Sequence, residues 1–456
     1  MGKSSRIISL LLAGVMTAGL LGGCSGESTG TTDTKTEDTK ATETAAESNS
    51  EIDPALVNTE LSGEITQWVW GDYEIRGASE FNKYYPNIKV NYVSVPSDEY
   101  EQKILITLAS GGEMPDVINI ESAARGKLNN MDVLERLDAA PYHLDQAEVL
   151  DIGIPLMSSE QGEIVCVQVD NCVGGYAYDR NLAKQYFGTD DPAEMEKKFA
   201  SLDDFVEAGK LVAEQSGGKV FMFSGVEDAY SAVNALYKEE AFVTDGKLTV
   251  ESSILPTYQF IEKMVANNSL GEYVSWTPAW YTSFASNDVI FYPAPAWFIS
   301  FMMKPNDPDS EAKWGFMTPP GGGFNNGGTA YGIPKAAKEE NKELAWAYIK
   351  WLTLSQEGAE SFMAAHDTPT LYAPAYDTDL YGGRPDPFFA GQNVTEKIIE
   401  ISRHPNTIAR PITQYDLTIK DCNALICKDL EAGMSGEEAF AKLKKEIIAK
   451  APELAE

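Results

Sequence analysis

An α/β protein of two domains is predicted by three observations. Beyond residue 60, short β-branched and aromatic runs alternate with helical ones, an order that builds a mostly parallel sheet covered by helices. The alternation starts a second time after Gly162. Setting aside the first 60 of 456 residues leaves 396, more than one hydrophobic core ordinarily spans.

Each element has its own signal. The run GEITQWVW, 63–70, has the Ile, Thr, Val and Trp content of a strand. A helix is expected over 73–85, stopped by Pro86, and a second strand over 88–95. Ile104, Leu105 and Leu108 place a helix over 98–110 that ends at Gly111-Gly112, and a buried strand follows over 115–120. The apolar stretch 164–178 is interrupted by Asp170-Asn171 and Gly174-Gly175, and polar residues inside a buried run need a reason. Helices are expected over 203–214, with Ser201 as N-cap, over 228–240 and over 254–267, with a strand at 219–224. Aromatic, proline-rich loops follow at 277–284 and 292–298, and the glycine-rich 318–337 breaks regular structure before a strand-like return. Helices over 341–353, 395–402, 414–431 and 436–450 close the chain, and no internal repeat of fixed short period is visible.

The N-terminus carries an address. Lys3 and Arg6 form a positive region, 7–21 is apolar but too short to span a bilayer comfortably, and Leu21-Gly22-Gly23 precedes Cys24. Leucine and two small residues before a cysteine resemble the lipobox of bacterial lipoproteins. That resemblance implies a signal peptide at 1–23 and a diacylglyceryl thioether on Cys24. Residues 24–60 are expected to be a disordered tether, since 25–51 contain no aromatic residue and no Val, Leu or Met, and only at Ile52 does an aliphatic side chain return. Such a coil spans about 30–35 Å.

Composition excludes several functions. Of the net charge of -33, the signal contributes +2 and the tether -7, leaving -28 on the body, which argues against a nucleic-acid partner. Anionic head groups would also repel it, so membrane attachment is assigned to the lipid. Beyond Cys24, four cysteines remain: Cys166, Cys172, Cys422 and Cys427. They allow three disulfide connectivities; the local pairs carry strain, and a cross-pairing or four buried thiols stands equally beside them. The three histidines, His143, His366 and His404, form no HExxH, and GxSxG, GxxxxGK[ST] and GxGxxG are absent, so no metal site, cofactor or catalytic triad is indicated.

Aromatic residues concentrate instead in loops and at strand ends: Trp70 with Asp72, Trp276, Trp280 with Tyr281, Trp297, Tyr331 and Tyr415. Open α/β sheets place ligands there. A Trp face covers the apolar C–H face of a pyranose while carboxylates and amides take its hydroxyls.

Six segments in order resemble family 1 extracellular solute-binding proteins of ABC transporters, the maltose-binding-protein class: ITQWVW, GGEMPDVINIE, VDNCVGGYAYDRNL, VIFYPAPAWF, WGFMTPPGGG and GGTAYGIPKAAKEENKELAWAYIKWL. Asp179 stands where the family has Asn, and Ala294 and Ala296 alter its Gly-Pro-Trp turn. The resemblance implies a two-lobed, type II periplasmic-binding-protein-like fold, with about three crossovers between lobe I (61–166 plus 332–376) and lobe II (167–331 plus 377–456). It further implies a non-enzymatic receptor: a monomer, anchored on the outer face of the membrane, that passes a small-molecule solute to permease subunits. Without an outer membrane such an anchor stops the receptor diffusing away, which points to a Gram-positive cell. The candidate ligand residues are Trp70, Asp72 and Glu121 from lobe I, Asp170, Asn171, Glu227, Trp297 and Tyr415 from lobe II, and Trp280 and Tyr331 in reserve. A carbohydrate is the expected ligand; a polyamine suits the same aromatic and acidic surroundings. A surface glycosidase would need two carboxylates roughly 5 to 10 Å apart.

Overall fold

The computed structural model describes residues 52–455; the expected signal peptide, Cys24 and most of the expected tether lie outside these residues. The strands are β1 (Gly63–Val69), β2 (Ile88–Ser94), β3 (Val117–Glu121), β4 (Val167–Gln168), β5 (Val173–Asp179), β6 (Val243–Thr244), β7 (Lys247–Leu248), β8 (Phe291–Pro295), β9 (Trp314–Met317), β10 (Phe324–Asn325) and β11 (Thr329–Gly332). The first sheet has the order β2-β1-β3-β11-β4. Its β1 runs parallel to β2 and β3, as the alternating pattern requires, whereas β11 returns antiparallel between β3 and β4.

The second sheet corrects the expectation of a mostly parallel arrangement. Strand β5 pairs antiparallel with β8 along one edge and with β9 and β10 along the other. Glycines make that close pairing possible. A Cβ on Gly174 would lie 2.7 Å from Pro295 N, and one on Gly175 would lie 2.4 Å from Met317 O. The expected loop at 292–298 is largely β8, which accommodates Pro293 and Pro295 because it pairs only with β5 among the named strands. The expected strand at 219–224 reduces to single parallel bridges, Phe221 to Val289 and Phe223 to Leu270. On β5, Tyr176 and Tyr178 pack into a core with Phe199, Phe205, Phe223 and Phe291, while Val173 and Ala177 join the core on the opposite face.

Most helices lie where periodicity predicts them: Ser97–Ser110, Leu202–Ser216, Glu251–Ala266, Lys342–Thr353, Val394–Ser402, Asp416–Glu431 and Gly436–Lys450. Ser201 closes a capping box with Asp204. The helix expected over 73–85 is two short ones, Tyr73–Gly77 and Phe81–Tyr84, and that expected over 228–240 is Val226–Asn234. Helices Ser122–Asn129, Pro278–Ser283 and Gln356–His366 were not expected; each begins at a side-chain cap, from Glu121, Thr277 and Ser355 respectively. Among the described residues no helix is long and apolar enough to cross a membrane. The tether, expected to extend to residue 60, is already tied down before it ends: Asn58 N–H donates to Tyr84 O at 2.7 Å, and Asn87 Nδ2 donates to Thr59 O at 2.9 Å.

Three stretches of chain lie side by side between the sheets. Val169 N–H donates to Thr329 O (3.1 Å), Leu371 N–H to Val169 O (2.9 Å) and Asn171 N–H to Pro369 O (2.7 Å). Asp170 Oδ1 accepts from Thr329 N at 3.1 Å. This explains the polar pair inside an apolar run: its members bond the crossing segments together.

Cys166, Cys172, Cys422 and Cys427 are all buried, unpaired thiols. Burial pushes Cys166 up to about 11 and Cys427 up to about 12, and raises Cys172 and Cys422. The thiolate is the reactive species. In a Cys24→Ser protein these four thiols should therefore resist Ellman's reagent when folded and all react once the chain is unfolded in denaturant. Rapid labelling of the folded protein, or a Cys–Cys cross-link in a peptide mass map, would contradict this arrangement.

Candidate functional site

A cavity of about 980 Å³ lies between the two sheets. Its aromatic wall is built by the segment 276–297. Trp276 and Trp297 are almost parallel, with planes 7° apart and centroids 6.4 Å apart, and Trp280 stands 5.6 Å from Trp276. Trp280 is buried and held by its Nε1–H, which donates to Asp228 Oδ2 at 2.8 Å. Asp228 also accepts from Ser224 Oγ and, at 3.1 Å, from Ser275 Oγ, so three donors surround a buried carboxylate whose pKa burial raises. Trp297 Nε1–H donates to Asn326 O at 2.8 Å. Gly327 passes directly beneath it with φ +88, and a Cβ there would lie 2.9 Å from Trp297 Nε1.

Trp276 differs from its neighbours. It is 56% exposed and holds φ at +67, a conformation that bulky side chains rarely adopt. Backbone strain of this kind persists where surrounding structure imposes it and clusters at ligand sites. Trp70, in edge-to-face contact with Tyr100 at 4.8 Å, lines the opposite side.

Of the ten residues expected at the site, Trp70, Asp72, Glu121, Asp170, Glu227, Trp280 and Trp297 line this cavity. Several have structural partners as well. Glu121 caps helix Ser122–Asn129 through Ala123 N (2.8 Å), Glu227 accepts from Ser275 N (3.1 Å), and Asp72 pairs with Arg76 at 3.4 Å. The other three lie elsewhere. Asn171 is fully buried, donating to Tyr376 Oη and Ser402 Oγ at 2.8 Å each and accepting from Val173 N at 3.0 Å. Tyr331 is fully buried within the first sheet. Tyr415 precedes helix Asp416–Glu431 outside the cavity lining, with its phenol toward Glu453.

The structure adds residues that the sequence reading missed. Tyr230, Ser231 and Asn234 join the expected Glu227 in lining the cavity from one face of helix Val226–Asn234, while Val226, Ala229, Ala232 and Val233 are buried. The spacing i, i+3, i+4, i+7 is a helical stripe, visible in the sequence to anyone seeking a polar rather than an apolar face. Arg125, Lys238, Asn325, Asn326 and Arg410 also line the cavity.

Beside Trp70, Glu74 is wholly buried, and neither carboxylate oxygen makes a hydrogen bond among the described residues. Burial, reinforced by the charges of Asp170 and Asp72, pushes its carboxyl up to about 7. Its charge in turn disfavours ionisation of Tyr92, Tyr100, Tyr331 and Tyr348, the phenols packed around it. The two sides of the cavity meet where helix Ser122–Asn129 packs on Asp416–Glu431, and there a Cβ on Gly126 would lie 2.1 Å from Thr413 O.

Two outcomes follow from these contacts. Gly126→Val should hold the two helices apart and enlarge the radius of gyration measured by small-angle scattering; an unchanged profile would count against the contact. Glu74 ionises near pH 4.5 unfolded and near 7 folded, so its contribution to stability is greatest below about pH 4.5 and is lost as pH rises through 7. Glu74→Gln should accordingly stabilise the protein by up to about 3 kcal/mol at pH 8, and by little at pH 4.5, in denaturant unfolding.

The profile of the bacterial extracellular solute-binding protein family matches residues 69–359. An arabinooligosaccharide-binding protein of Halalkalibacterium halodurans is 22% identical over 398 residues, covering 81% of this chain and 84% of that protein. A crystal structure of a family 1 extracellular solute-binding protein superposes with a TM-score of 0.73 at 18% identity, covering 84% of this chain and 98% of the other. The ABC-transporter-associated binding protein of B. animalis subsp. lactis Bl-04, in complex with beta-1,6-galactobiose, superposes at 0.68 and 16% identity, covering 86% and 98%. These two solved structures have the two-lobed, type II arrangement in which two α/β bodies enclose a cleft. With its two sheets, three crossing segments and cleft between them, this chain belongs to the bacterial extracellular solute-binding protein family.

Proposed function

We propose that the protein is the carbohydrate receptor of an ABC transporter, capturing an oligosaccharide in the cleft and presenting it to permease subunits. The strained, exposed Trp276 parallel to Trp297 carries this reading. Such rings offer flat apolar faces to the C–H side of a sugar, and the adjoining polar stripe offers hydrogen bonds to its hydroxyls. A volume of about 980 Å³ is at the upper end for small-molecule sites, which favours an oligosaccharide over a monosaccharide. The sugars bound by the relatives, arabinooligosaccharide and galactobiose, support the same class.

In this reading lobe I is 61–166 plus 332–376 and lobe II is 167–331 plus 377–456. Ligand bridging them shifts an open-to-closed equilibrium about the three crossing segments, and the permease recognises the closed form. A lipid on Cys24 holds the monomer on the outer face of the membrane, in a cell without an outer membrane, and no chemical step is catalysed.

Titration with a panel of oligosaccharides and spermidine, followed by tryptophan fluorescence and melting temperature, tests the reading. Saturable, stabilising binding of at least one oligosaccharide is expected. Trp276→Ala should weaken it by about 10- to 100-fold, the loss of one large apolar contact. Response to spermidine alone would make the protein a cation receptor, and sugar turnover would make it an enzyme.

A further inference from the structure

The cavity is not uniform in the charges that remain free to meet a ligand. Most of its carboxylates already accept hydrogen bonds from backbone N–H groups: Glu121 from Ala123, Asp170 from Thr329, Glu227 from Ser275 and Asp416 from Thr413. The cations on the second-sheet side are placed differently. The Arg410 guanidinium lies over the Phe242 ring, with Cζ 3.5 Å from the centroid, and donates through Nη1 to Asn234 Oδ1 at 3.0 Å. Lys238, four residues beyond Asn234, is 4% exposed and donates to Gly323 O. Neither cation makes an ion pair among the described residues, although Asp416 and Tyr230 face Arg410 and Glu239 adjoins Lys238. Asn234 Nδ2 is buried and makes no hydrogen bond among the described residues.

All three residues line the cavity. A cation taken out of water without an anion is costly: Lys238 is buried, Arg410 is half-buried with its guanidinium against Phe242, and desolvation lowers the pKa of both. A guanidinium with one face covered by a ring and one N–H committed still presents an in-plane edge, the geometry that grips a carboxylate through two parallel hydrogen bonds. Asn234 Nδ2 supplies a further donor and Lys238 a point charge.

We propose that Arg410, Asn234 and Lys238 form an acidic-sugar subsite that receives the carboxylate of a uronate residue, making the ligand an acidic oligosaccharide. This rests on the receptor reading above and adds its substrate class. The Trp276 and Trp297 faces take the neighbouring sugar rings, and the subsite sets which chains are accepted.

Calorimetric titration of the full protein with matched pairs tests the subsite: trigalacturonate against galactotriose, and a glucuronate-bearing xylotriose against xylotriose. At least one acidic member should bind about 10-fold or more tighter than its neutral partner, an advantage that shrinks between about 50 and 500 mM salt. In Arg410→Gln the preference should collapse to below about threefold, with Arg410→Lys retaining part of it. Lys238→Met is the second variant should Arg410→Gln fail to fold, which its melting temperature reports. Neutral sugars binding as tightly as acidic ones, or a preference that survives in both Arg410→Gln and Lys238→Met, would overturn the subsite and leave the receptor reading standing. If no sugar of either kind binds, both proposals fall.

Discussion

The bonded crossing at Val169 and Asp170 is the constraint on which the rest of the molecule depends. Among the described residues the two sheets have separate pairings and no other continuous backbone ladder between them, so the disposition of the cleft walls follows from how these segments are held. Val169 bonds the other two crossings through its N–H and C=O, while the Asp170 carboxylate accepts from Thr329. Arg125, on helix Ser122–Asn129, reinforces the joint, donating to Gln168 Oε1 and, at 2.7 Å, to Gly328 O. A motion between the lobes can therefore be absorbed by small torsional changes in a few bonded residues, which is how hinges work without loss of packing.

Polar groups gather around the cleft beyond the joint as well. Asp170, Glu74 and Asp228 are all buried acids whose pKa burial raises, and they line the cavity. Where such a group is fully bonded, as Asp228 is, it orients its neighbour: Trp280 is locked by it and in turn supports Trp276. Glu74, without a bond, instead weakens the fold above neutral pH. Natural proteins keep such costs mainly where function requires them.

Much of the fold was legible in the sequence because periodicity and caps are local signals. The runs around Trp70 and Val117 read as strands, and Ser201 read as a cap, because each depends on residues within a few positions. The cleft was legible only in part. Trp70 and Trp297 follow or end strands, where ligands bind in α/β sheets, and a reader can find them. Asn171 misled because its polarity suggested a cleft, whereas its partners, Tyr376 and Ser402, lie 205 and 231 residues away. Arg410 lies in an irregular segment whose only guide is its tertiary contact with Asn234, 176 residues earlier. The stripe from Glu227 to Asn234 was present in the sequence, but a search for aromatic residues passes over it.

A chain of net charge -33 that binds an acid poses an electrostatic question. The answer lies in distance. At physiological ionic strength the Debye length is about 8 Å, so acids scattered over the surface contribute little inside the cleft. A carboxylate in contact with Arg410 and Lys238 would interact at hydrogen-bond distance, with Phe242 excluding water from one face of the guanidinium. The global field then slows the approach of an anion more than it weakens the bound state. Slow capture is tolerable for a receptor whose task is to hold solute until a permease engages, and rejection of anions that lack a sugar ring is gained in return. The acidic surface and the cations of the cleft thus act at different stages of binding, the first on encounter and the second on selection.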